Sequence, residues 1–115
     1  MSTESKLWQP LKLGNTTLSH RIALAPLTRF RNDDNHLPLS LMIKYYADRA
    51  STPGTLVISE ATGVSKTGEA APNLPGITSP EQIDGWRKIY DAVHAKGVIC
   101  FSSFGIWEGQ VIRII

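Results

Sequence analysis

Hydrophobic and polar residues alternate along this chain in two rhythms, one of period two and one near 3.6. Leu11 and Leu13 flank Lys12, which predicts a short strand. Gly14-Asn15 is a turn signal and Thr16–Ser19 reads as a return strand, so the chain opens on a small hairpin. Residues 22–27 (IALAPL) are an apolar run without polar alternation, as in a strand buried on both faces of a parallel sheet. Residues 31–37 are a polar loop. Pro38 suits the first turn of a helix, where a missing N–H costs little. From there to Ala50 no Gly or Pro intervenes, and Leu41/Met42 with Tyr45/Tyr46 form an apolar face at helical spacing. Pro53-Gly54 ends that helix. Residues 55–62 (TLVISEAT) are a second β-rich run that turns polar at its end.

Residues 63–78 are rich in Gly and Pro and read as a long irregular loop, a kind of loop that is often functional. A second helix is then signalled strongly. Ser79 can cap it, Pro80 fits its first position and Gln82 completes a capping box. Ile83, Trp86, Ile89/Tyr90 and Val93 recur at a spacing of three to four, and Gly97 is a good residue just past the end. Residues 98–104 (VICFSSF) predict a third strand. Strands alternating with helices imply a parallel sheet with right-handed crossovers. An open doubly wound sheet and a (β/α)₈ barrel both satisfy that order.

Composition narrows the class. The 115 residues are 42% hydrophobic and 19% charged, which suits a globular chain and argues against disorder. No apolar run approaches the roughly 18 residues of a membrane helix. The net charge is +2, and Arg29 and Arg31 are followed at once by Asp33 and Asp34, so no basic stripe for nucleic acid emerges. The lone cysteine, Cys100, excludes an internal disulfide and fits a reducing, cytoplasmic compartment. The start, MSTESKLWQP, lacks the basic and apolar regions of a signal peptide.

Candidate chemistry is sparse. Gly63-Val-Ser-Lys-Thr-Gly68 has P-loop-like glycine spacing, but Glu69 stands where the lysine is required, which favours a plain loop. His20, His36 and His94 are far apart and suggest no metal site; His94 suits a helix C-terminus. In α/β folds, ligands bind outside the carboxyl ends of the strands. Those ends carry Pro26-Leu27-Thr28-Arg29 and Glu60-Ala61-Thr62. Thr28 can donate a hydrogen bond to a ligand or bond its own loop. Ala61 either admits a flat ligand or simply packs. Glu60 is either a base or a partner for a nearby arginine.

Read together, the pieces from Leu7 to Arg21, Ala25 to Arg29, Tyr45 to Ala50, Pro53 to Thr62, Asn73 to Ile77 and His94 to Gly97 resemble the Old Yellow Enzyme family, fungal members above all. The resemblance covers residues 7–97 and implies a (β/α)₈ barrel whose N-terminal end is closed by the hairpin. It implies an FMN-dependent NAD(P)H oxidoreductase of the ene reductase type, passing hydride from NADPH or NADH through FMN to an activated alkene. By the same resemblance Pro26, Leu27 and Thr28 contact the flavin ring, Thr28 tunes its potential, and Ala61 faces it. The implied partner is a small molecule, an α,β-unsaturated carbonyl, with neither nucleic acid nor membrane involved.

Two places depart from the family. Glu69-Ala70-Ala71 stands where many members have Gly-Tyr. After Gly97 the family continues with a motif like FLQLWHLGR, whose glutamine binds the flavin; this chain has Ser103 there. Joining the last base of each codon to the first two of the next lets the tail spell that motif. The expected organisation is therefore residues 1–97 as the N-terminal part of the barrel, with strands one to three and two helices, and residues 98–115 as a divergent tail read in a shifted frame. A (β/α)₈ barrel needs about 250 residues. The chain is thus expected to be a truncated, inactive portion of such an enzyme, without catalytic residues of its own. The alternatives are a non-catalytic interaction module or a pseudogene product.

Overall fold

The computed structural model describes residues 5–69, 71–108 and 111–114. Met1–Glu4, Ala70 and part of the tail therefore lie outside it, and with them part of the signal-peptide, Glu69–Ala71 and shifted-frame expectations. A short 3₁₀ turn, Lys6–Trp8, leads into an antiparallel hairpin of β1 (Leu11–Leu13) and β2 (Thr16–Leu18). Then follow β3 (Ala23–Leu24), α1 (Ser40–Arg49), β4 (Leu56–Gly63), α2 (Pro80–His94), β5 (Ile99–Glu108) and β6 (Val111–Ile114). The four-stranded sheet has the order β3-β4-β5-β6. The β3–β4 and β4–β5 pairs are parallel; β6 returns antiparallel to β5. The described sheet is open and closes no barrel.

The core forms where the two helices meet the sheet. Met42, Tyr46 and Ala50 of the first helix region, Val57 of β4, Trp86, Ile89 and Val93 of α2, and Val98 make one buried cluster. Close approach is allowed by Gly85, where a Cβ would lie 2.9 Å from the Pro38 ring. The start of α2 is built as the sequence predicts. Ser79 Oγ accepts the Gln82 backbone N–H at 3.2 Å and Gln82 Oε1 accepts the Ser79 N–H at 3.1 Å. Two orphan donors of the first turn are satisfied that way. Gly97 takes the left-handed conformation (φ 71°) that turns the chain into β5.

Several expectations need correction. The strand expected over 22–27 covers only Ala23–Leu24. Pro26 has no N–H to give a ladder, and the chain turns at once, with the Leu27 N–H bonding back to the Ala25 carbonyl at 2.9 Å. Nor is the run buried on both faces: β3 is an edge strand, and Ile22 and Leu27 are exposed. The first helix begins at Ser40, because Pro38 is held extended in a bridge to Asn32 and Leu39 is an extended cap. Leu41 and Ile83, expected on apolar faces, are exposed, while Met42, Tyr46 and Gln82 are buried. The loop 63–78 contains a 3₁₀ turn, Lys66–Glu69. The third strand runs past 104 to Glu108.

Candidate functional site

Because β3, β4 and β5 are parallel, their C-terminal ends gather along one end of the sheet, where α/β folds place ligands. The segment after β3 carries Pro26, Leu27 and Thr28. Pro26 and Thr28 are half-buried and Leu27 is about half exposed, at 52%. Among the described residues no hydrogen-bond partner accompanies the Thr28 hydroxyl, so it does not bond its own loop. On β4, Ala61 is half-buried and lies opposite Ser103 of β5. A register shift between Ile58 and Ala61 precedes that pair. Such irregularities re-aim side chains beside functional sites.

Glu60 connects the two strand ends. It is 1% exposed. Its Oε2 accepts the Arg29 backbone N–H at 3.2 Å, and its Oε1 accepts the Tyr46 hydroxyl at 3.2 Å. The Tyr46 oxygen in turn accepts the Glu60 N–H at 3.0 Å. Burial raises the Glu60 pKa, against the pull of the two hydrogen bonds and the Arg29 charge. Burial, then the Glu60 charge, raises that of Tyr46. Of the two roles open to Glu60, the geometry favours the partner of an arginine, though through the Arg29 main chain. The Arg29 guanidinium instead lies 5.7 Å from the centre of the Tyr45 ring.

Ser103 shows the opposite condition. Its backbone N–H donates to Ser59 Oγ at 3.3 Å, but its own hydroxyl is buried without a partner. A buried unpaired hydroxyl is destabilising. Earlier on the same strand, burial pushes the Cys100 thiol up to about 11, so it stays protonated and poorly nucleophilic.

The Gly63–Gly68 stretch serves packing. A Cβ on Gly63 would sit 2.9 Å from the Gly68 carbonyl oxygen. The buried Glu69 beside it accepts the Thr78 hydroxyl at 2.7 Å and pairs with Lys66 at 3.4 Å. An open groove of about 510 Å³ at the start of α2 is lined by Lys66 but also by Asp34, Glu69 and Glu81, a poor set for phosphate. The histidines are spread over separate structural duties. His20 Nε2 meets Thr55 Oγ1 at 2.9 Å, His36 Nδ1 donates to the Leu74 carbonyl at 2.7 Å, and His94 stacks on Tyr90 in the last turn of α2.

Sequence reasoning missed two polar clasps. One is the Tyr46 hydroxyl on Glu60; its signal was a tyrosine on a buried helix face, which needs a partner. The other joins Asn32 and Asn73, each Nδ2 donating to the other's carbonyl at 3.2 and 2.8 Å. Asn73 has φ 61°, a conformation asparagine tolerates better than most residues.

The family model described as NADH:flavin oxidoreductase / NADH oxidase matches residues 6–110. The NADP-dependent oxidoreductase lnbE of Aspergillus flavus is 56% identical over 97 residues, which is 84% of this chain and 26% of that protein. The probable inactive reductase easA of Epichloe festucae var. lolii is 52% identical over 97 residues, 84% of this chain and 25% of its own. Among solved structures, the Old Yellow Enzyme homologue from Zymomonas mobilis superposes with a TM-score of 0.80 at 44% identity, covering 86% of this chain and 27% of that one. The chain therefore spans about a quarter of the length of the relatives it matches. The matched part of the chain corresponds to the N-terminal part of their fold.

Proposed function

The chain belongs to the NADH:flavin oxidoreductase / NADH oxidase family, and from that premise we propose that its strand ends are the flavin-facing part of an FMN-dependent NAD(P)H oxidoreductase of the ene reductase type. The observation that carries this reading is the state of Thr28. It lies at the C-terminal end of the sheet, half-buried, with no protein partner for its hydroxyl among the described residues. The neighbours fit a flat, partly polar ring system: Pro26 and Leu27 offer apolar surface, and Ala61 has no side chain beyond Cβ to obstruct it.

FMN, when bound, supplies the hydride chemistry between NADPH or NADH and an α,β-unsaturated carbonyl. The chain's own residues orient and tune. Thr28 would donate a hydrogen bond to the ring and bias its potential, Pro26 and Leu27 would offer it apolar surface, and Ala61 would permit close approach. The Aspergillus relative is named NADP-dependent, which supports NADPH as reductant. The lone cysteine supports a reducing, cytoplasmic setting.

The described residues would line only part of such a cofactor, and the described sheet is open. We infer that the 115-residue chain by itself holds FMN weakly and does not reduce enones. A role without catalysis also has support in the Epichloe relative named as a probable inactive reductase. The visible spectrum of the purified chain tests this directly, followed by an NADPH oxidation assay with an enone. We expect no stoichiometric flavin band and no turnover. A stoichiometric band with enone-dependent NADPH loss overturns the inference of inactivity and leaves the flavin site standing.

A further inference from the structure

The flavin reading uses residues 26–28 but leaves open what holds them. They follow a strand of two residues at the sheet's edge, and Leu27 is half exposed, so the ladder restrains them little. The restraint comes from the neighbouring strand. Glu60 lies on β4 one residue before Ala61, and both of its carboxylate oxygens are engaged. One receives the Arg29 N–H at 3.2 Å; the other receives the Tyr46 hydroxyl at 3.2 Å. Tyr46 is itself 1% exposed and wedged against the rings of Tyr45 and Trp86. Helix α1, strand β4 and the segment after β3 therefore converge on one carboxylate. Burying that group is costly, and removing it would leave the Arg29 N–H and the Tyr46 hydroxyl without their acceptor. What the carboxylate adds is a fixed place for the Arg29 amide.

We propose that Glu60 is a positioning residue, braced by Tyr46, which holds the segment carrying Pro26, Leu27 and Thr28 in register with the end of β4 that carries Ala61. The proposal rests on the reading of those four residues as flavin contacts. It assigns Glu60 no proton transfer, since both oxygens are committed to protein donors.

Amide hydrogen exchange of the 115-residue chain tests it, with thermal unfolding alongside. Glu60→Ala should accelerate exchange at Arg29 by roughly tenfold or more, as loss of a hydrogen bond to a charged acceptor implies. Exchange in α2 should change little. Glu60→Gln keeps an oxygen acceptor and should hold Arg29 within about threefold of the parent chain. If Glu60→Ala does not fold, Tyr46→Phe keeps the ring in place and should still loosen Arg29 locally. Unchanged Arg29 exchange in the folded variants overturns the proposal, and so does acceleration spread evenly over α1, β4 and α2. Titration with FMN, read by flavin absorbance, separates the two readings. Glu60→Ala should need several-fold more FMN than the parent for the same spectral change. A parent chain that leaves the spectrum unchanged at every concentration overturns the flavin reading, and with it the cofactor role of Glu60. A parent response shared in full by Glu60→Ala overturns the positioning role alone.

Discussion

Ala61 and Ser103 lie opposite one another in the parallel β4–β5 ladder, and the Ser103 hydroxyl is buried without a hydrogen-bond partner. Removing an orphaned hydroxyl relieves its desolvation cost. Ser103→Ala should therefore be neutral or stabilising by about 1 kcal/mol in urea unfolding. A loss of similar size would show that the hydroxyl has a partner.

The misfit at Ser103 bears on the origin of the tail. A one-base change or misplaced splice junction between the codons for about positions 94 and 98 would move the downstream reading into the family motif, with glutamine in place of Ser103. Sequencing the gene across this region decides it. The expected result is a neighbouring frame that encodes QLWHLGR; its absence removes the shifted-frame reading.

Two buried glutamates should respond oppositely to pH. Burial lifts Glu60 above the ordinary value of 4.5, despite the Arg29 and Tyr46 hydrogen bonds and the Arg29 charge. The folded chain then binds that proton more tightly than the unfolded chain. Its ionisation costs stability, a cost absent below pH 4.5 and complete above the raised folded value. Burial also pushes Glu69 upward, but the Thr78 and Gln82 hydrogen bonds and the Lys66 charge outweigh it, and its net pKa falls below 4.5. The stability Glu69 supplies is present above 4.5 and is lost as pH drops through the lowered value. Urea unfolding between about pH 3.5 and 7 checks both signs. Glu69→Gln should lose most against the parent at neutral pH. The stability of Glu60→Gln relative to the parent should rise with pH.

The α2 start offers a stability test remote from the site. Ser79→Ala should cost about 1 kcal/mol, the usual value for a lost cap. Gln82→Ala should cost more, because Gln82 Oε1 also accepts the Thr78 N–H at 2.7 Å and its Nε2 donates to the Asn35 carbonyl at 3.2 Å. Equal effects of the two substitutions would show that the capping bond alone matters.

The elements most legible in the sequence were those fixed by local chemistry. Ser79, Pro80, Gln82 and Gly97 signal a helix start and a chain reversal through their own side chains or backbone freedom, and the structure has both. Strand β3 was less legible, because its length depends on where β4 offers partners and on the turn at Ala25–Leu27. Ile83 reads as a core position by spacing, yet the first turn of α2 directs Gln82 inward instead. Pro26, Leu27, Thr28 and Ala61 could be named from their place after strands and from family resemblance. Glu60 as the partner of an arginine could be named too, but its contact through the Arg29 main chain and its bond to Tyr46 could not, since they join residues from separate parts of the chain.

The central claim is that FMN meets this chain at the ends of β3 and β4. Titration of isotopically labelled chain with FMN, followed amide by amide, tests it most directly. The account predicts weak binding that shifts Leu27, Thr28 and Ala61 first, with the response at Thr28 reduced in Thr28→Ala. No response at any FMN concentration would contradict it, as would shifts confined to the groove at Lys66, Glu81 and Gln82.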